Sequence, residues 1–82
     1  MELSYDPRHN IAYIRLLPKA AQVESIKLSE EIVVDLSPDG KVYGIELLNA
    51  KEQLLGGLTS GLTLVNEADG SCVHIPLVGA AA

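Results

Sequence analysis

The sequence predicts an α+β domain: an antiparallel β-meander of about four or five strands, one short helix and a C-terminal β-hairpin. Three observations carry that prediction. Apolar and polar residues alternate in short runs as far as Leu48, the period of a strand with one buried face. Turn-forming clusters separate the runs: Asp6-Pro7-Arg8-His9-Asn10, Ser37-Pro38-Asp39-Gly40 and Asp69-Gly70. Only one stretch, just after Leu48, spaces its apolar residues as a helix does.

The first hairpin follows from the Asp-Pro turn, because Pro7 presets its own φ and Asp6 can bond the backbone beyond it. With a loop over 7–10, Tyr5 faces Ala12 and Leu3 faces Ile14. Leu3, Tyr5, Ala12, Ile14 and Leu16 then share one face, with Ser4, Tyr13 and Arg15 on the other. Residues 17–22 read as a loop, 23–28 as a short strand and 32–36 as the next strand. At 37–40 two arguments compete. Pro38-Asp39-Gly40 favours a three-residue loop with Gly40 at positive φ. Matching Ile32, Val34 and Leu36 to the face of Tyr43, Ile45 and Leu47 demands an even loop. Burial of a large apolar side chain stabilises by about 1.5–3 kcal/mol when complete, so the even loop, of two or four residues, is the expectation.

Asn49 is placed to cap a helix, with Glu52 three residues on to reach back. Ala50, Leu54 and Leu58 line one stripe, with Leu55 beside it, and Gly56-Gly57 stop the helix after about two turns. The Asp69-Gly70 turn closes a second hairpin, pairing Leu64 with Ile75, Leu62 with Leu77 and Val73 with Asn66. Leu62, Leu64, Val73, Ile75 and Leu77 gather on one face, and Thr63, Val65, Cys72 and His74 on the other. The expected organisation is one small domain over 1–79, in which 62–77 is an extra hairpin, and a frayed tail over 80–82.

Composition bounds the function. The 82 residues are 48% hydrophobic and 21% charged, a folding composition. Six basic and eleven acidic residues give a net charge of −5, which argues against nucleic-acid binding, as do three tyrosines with no Trp or Phe for stacking. The single cysteine, Cys72, excludes an internal disulfide and a four-thiolate zinc site. No signal peptide or membrane span is expected: the start is charged at once, and the longest uncharged run, 53–66, is broken by Gly56, Gly57 and Gly61. A cytoplasmic protein is the expectation. So small a core without a disulfide commonly self-associates, so a homodimer or higher oligomer is expected.

Tyr5-Asp6-Pro7 leading into Ala12-Tyr13-Ile14-Arg15-Leu16, and Val34-Asp35 followed by Asp39-Gly40 and Gly44-Ile45-Glu46-Leu47, resemble a family of small prokaryotic proteins. It is catalogued as domain of unknown function 2283. The resemblance covers about residues 3–50, and Gly-Ile-Glu-Leu is its most specific part. The family pattern has an acidic residue where Asn10 stands, another near Ser37 and a Ser near Lys51, and this chain departs at all three. The resemblance implies a small sheet-based domain with no established activity, and antitoxin-like partnership with a neighbouring small protein.

Two constellations carry chemistry. Asp35 and Glu46 fall on one face of adjacent strands beside Gly44 and Val33, and Asp6 joins them if the first hairpin lies alongside. Such carboxylates suit a divalent cation or acid/base work; a solvated outer face is the plainer explanation. Cys72 and His74, two apart on one strand, point to the same side, but no further ligand or orienting carboxylate stands at a predictable distance. Gly44 inside a strand marks a bulge or a close backbone approach, where Tyr13, a helix or a second subunit would pack on the sheet. No catalytic residue and no cofactor are assigned. The expected function is a non-enzymatic protein-interaction module that self-associates, or an antitoxin-like partner of a small basic protein. The alternative is a metal-dependent hydrolase or divalent-metal-binding domain using Asp6, Asp35 and Glu46. A melting temperature unmoved by Mg²⁺, Mn²⁺ or Zn²⁺ would count against that alternative.

Overall fold

Among the described residues, alternating side chains and turn residues lay down seven strands and one helix. The computed structural model describes residues 1–18, 22–54 and 61–76. The elements are β1 (Glu2–Asp6), β2 (Ile11–Arg15), β3 (Glu24–Lys27), β4 (Ile32–Leu36), β5 (Val42–Leu48), α1 (Ala50–Leu54), β6 (Leu62–Val65) and β7 (Cys72–Ile75). Five strands form an antiparallel sheet in the order β1-β2-β5-β4-β3, and β6-β7 form a separate two-stranded ribbon. The fold is α+β. One step leaves the sequential order: β2 pairs with β5, and the chain crosses to the far edge before β3. Leu55, Gly56, Gly57, Leu58, Leu77 and the tail over 80–82 lie outside the described residues.

The first hairpin has the expected register, with Leu3 opposite Ile14 and Tyr5 opposite Ala12. Across the sheet, Leu3, Ile14, Ile45, Val34 and Ile26 form one continuous row, and Tyr5, Ala12, Leu47 and Ile32 the next. Both rows belong to the same face, because each lies an even number of residues from the other.

The loop between β4 and β5 corrects the expected length. Gly40 N–H donates to the Ser37 carbonyl at 2.9 Å, and Ser37 N–H to the Lys41 carbonyl at 2.8 Å. Pro38, Asp39 and Gly40 are thus a three-residue loop, with Gly40 at φ 86°. The turn preference won locally, and hydrophobic matching was recovered one step later. The register shifts between Asp35 and Leu36, so that Leu36 opposes Val42 while Asp35 opposes Gly44. The bulge absorbs one residue on β5 and restores Val34 opposite Ile45 and Ile32 opposite Leu47.

The second ribbon is also shifted, by two residues. Leu62 opposes Ile75 and Leu64 opposes Val73, instead of Leu64 opposing Ile75. Asn66 pairs with Ser71, its N–H donating to the Ser71 carbonyl, around a loop over 67–70. Side-chain bonds select that longer loop: Asn66 Oδ1 accepts the Ala68 N–H, and Asp69 Oδ1 accepts both the N–H and the hydroxyl of Ser71. A shift of two keeps every side chain on its face, so the apolar set survives.

The helix start is likewise capped differently. Asn49 sits at φ 55°, and its carbonyl accepts the Gln53 N–H as the first helical bond. The N-terminal donors turn to Asn10 in the β1–β2 loop: its carbonyl accepts the Ala50 N–H and its Oδ1 the Lys51 N–H, both at 2.9 Å. Glu52 does not reach back to Asn49; its carboxylate accepts Asn10 Nδ2 at 2.8 Å.

Candidate functional site

The polar face of the sheet gathers around Asp35. Asp35 opposes Gly44, Val33 opposes Glu46, and Tyr13 on β2 opposes Glu46 from the other side. Because Gly44 has no side chain, the Tyr13 ring lies across its Cα and reaches β4; a Cβ at Gly44 would overlap the ring and hydroxyl. The Tyr13 hydroxyl donates to Asp35 Oδ2 at 2.7 Å, and Ser25 Oγ on β3 donates to Oδ1 at 2.6 Å. One carboxylate thus ties β2, β4 and β3 together over the strand that lacks a side chain there.

This arrangement ties three strands together. Both Asp35 oxygens already hold a hydroxyl donor. Desolvation first, and then the bond to Asp35, push the Tyr13 phenol far above its ordinary value, so it stays neutral. Asp35 and Glu46 do share a face, as their spacing requires. Asp6 stands elsewhere, paired with Ile11 at the end of β1, where its carboxylate meets His9 Nδ1 at 2.7 Å. That bond is the main cause of an Asp6 pKa below the usual carboxylate value. Among the described residues no group of three or more His, Cys, Asp or Glu is close enough to hold a metal ion. Ser25 is the member that sequence reasoning missed, since its pairing with Asp35 depends on the β3 register alone.

Cys72 and His74 share a face of the β6–β7 ribbon, as expected from their spacing. His74 Nδ1 lies 3.2 Å from the Thr63 hydroxyl, and Cys72 is free and exposed. An open hollow of about 290 Å³ is lined by Gln22, Val23, Glu24, Leu36, Ser37, Pro38 and Gly40. Its one hydroxyl, on Ser37, is engaged by Asp39 and by the Lys41 carbonyl.

The opposite face of the sheet has a different character. Its apolar rows are only partly covered: among the described residues the buried hydrophobic side chains are Ala12 and Ala50, and no large one is fully buried. At its margins Leu3 is 37% exposed and Ile26 39%. Every residue from 62 to 76 is exposed, although Leu62, Leu64, Val73 and Ile75 form an unbroken apolar side of the ribbon.

No helix among the described residues is long and apolar enough to cross a membrane. A family model described as "Protein of unknown function (DUF2283)" matches residues 2–51. No curated protein and no solved structure matches the chain.

Proposed function

From the chain's membership of the DUF2283 family of proteins of unknown function, matched over the five-stranded sheet and the start of α1, we propose that it is a non-enzymatic interaction module that self-associates. The observation that carries this reading is the open apolar face: the sheet is built in the register that gathers Ile14, Ile45 and Val34, yet among the described residues the enclosed hydrophobic side chains are Ala12 and Ala50. Burying such side chains is the main favourable term in association as in folding. The polar face supports the same reading, because its central carboxylate serves as a structural tie.

Light scattering on the purified chain is the test. The expected result is a species of at least twice 8.7 kDa at micromolar concentration; a strictly monomeric chain overturns the reading. The net charge of −5 also favours a small basic protein as a second partner, in the manner of an antitoxin. Co-purification with such a protein, lost at high salt, would support that version.

A further inference from the structure

The β6–β7 ribbon lies beyond the family-matched stretch, and it has no reason to hold its shape alone. A single two-stranded hairpin is marginally stable at best in water and needs a surface under its apolar side. That side is formed by Leu62, Leu64, Val73 and Ile75, which are 44%, 63%, 59% and 43% exposed. Neither strand pairs with the five-stranded sheet. Among the described residues there are therefore two unpartnered apolar surfaces, one on the sheet and one on the ribbon.

Resting on the self-association proposed above, we infer that the ribbon of one copy docks on the apolar sheet face of a second copy, and reciprocally. Three quantities favour a second copy as the occupant. A compact monomer of this mass exposes about 4,700 Å², whereas this chain exposes 5964 Å². The excess, about 1,200 Å², is more than the roughly 800 Å² that one partner contributes to a standard interface, so the area needed is present. The radius of gyration, 14.1 Å, exceeds the value of about 12 Å for a compact chain of this length. The dimensions also agree. Four-residue strands span about 13 Å, within the span of about 17 Å of the five-residue β2 and β4 that carry Ile14 and Val34. Both surfaces belong to every copy, so a two-fold exchange satisfies each of them at once and closes the assembly.

The test uses the full chain and its Leu64→Asp/Val73→Asp variant. Both positions are exposed in the single chain, so the charges leave the five-stranded sheet intact, which circular dichroism checks. Sedimentation equilibrium is expected to give twice the chain mass for the parent. In the variant the dimer dissociation constant should rise by at least about a hundredfold, because unpaired carboxylates would enter an apolar contact. In an equimolar mixture of isotope-labelled and unlabelled parent, intermolecular nuclear Overhauser contacts are expected between the methyls of Leu64 and Val73 and those of Val34 and Ile45. A variant as dimeric as the parent overturns the ribbon exchange and leaves self-association standing through another surface. A monomeric parent overturns both, whether its ribbon contacts its own sheet, contacts nothing, or is ordered only by an added foreign protein.

Discussion

Gly44 is buried because the Tyr13 ring occupies the place of its missing side chain. Gly44→Ala is therefore expected to destabilise the protein by about 1–3 kcal/mol, the usual cost of overpacking, as read by urea denaturation. In a Tyr13→Ala background the obstacle is gone, and most of that cost should vanish; additive costs would mean that the two residues do not share the space. The Tyr13 hydroxyl adds a pH signature. Its pKa is raised in the folded protein, chiefly by desolvation and then by Asp35. The stability it contributes is complete below the unfolded tyrosine value of about 10 and is lost as pH rises from there through the folded value. Tyr13→Phe, which should cost about 1 kcal/mol at neutral pH, is expected to unfold less steeply on the alkaline side. An alkaline limb identical to the parent's would remove the phenol from that account. The sequence showed the glycine and the tyrosine but not Ser25, because a hydroxyl on an edge strand carries no periodic signal.

At the scale of elements, what was legible depended on whether two local rules agreed. In the β1–β2 hairpin, turn chemistry and apolar matching favour the same loop, and the register follows from the sequence. Between β4 and β5 they conflict, and a bulge near Tyr43 lets both be obeyed, an outcome that counting parity across the loop alone does not anticipate. The ribbon register was out of reach for a related reason: Asn66, Asp69 and Ser71 bond within the loop and widen it by two residues. The helix cap was hidden because its acceptor, Asn10, is distant in sequence and adjacent only after β2 pairs with β5. Asn10 is therefore a hinge between two elements, held at φ 57°. Asn10→Ala should lose about 1–3 kcal/mol, from the cap and from the strained backbone together. Asn10→Gly should recover the backbone part and leave the cap lost. Because the bond to Asn10 is the first cause of the depressed Glu52 pKa, both variants should return Glu52 toward its ordinary value in a carboxyl titration by NMR. A Glu52 that keeps its low value would show that the bond does not persist in solution.

For the whole molecule, the register that brings the apolar rows into line also underlies the assembly proposed above. The sheet has one polar, tied face and one open apolar face, and among the described residues the enclosed hydrophobic side chains are two alanines. The helix among the described residues, Ala50–Leu54, is too short to cover five strands. If native chains associate and unfolded ones do not, unfolding takes one dimer to two chains, and its midpoint must rise with protein concentration. Two chains of 82 residues, at about 2.1 cal/mol/K per residue, give an unfolding entropy of about 340 cal/mol/K. A tenfold increase in concentration stabilises the dimer by about 1.4 kcal/mol, so the melting temperature should climb by about 4 °C per decade. Calorimetry over two decades of concentration resolves such a slope. The Leu64→Asp/Val73→Asp variant should melt lower and lose the slope wherever it is monomeric. A parent chain whose melting temperature ignores concentration would mean that the apolar face stays open in the folded state, and the association argued from it would fail.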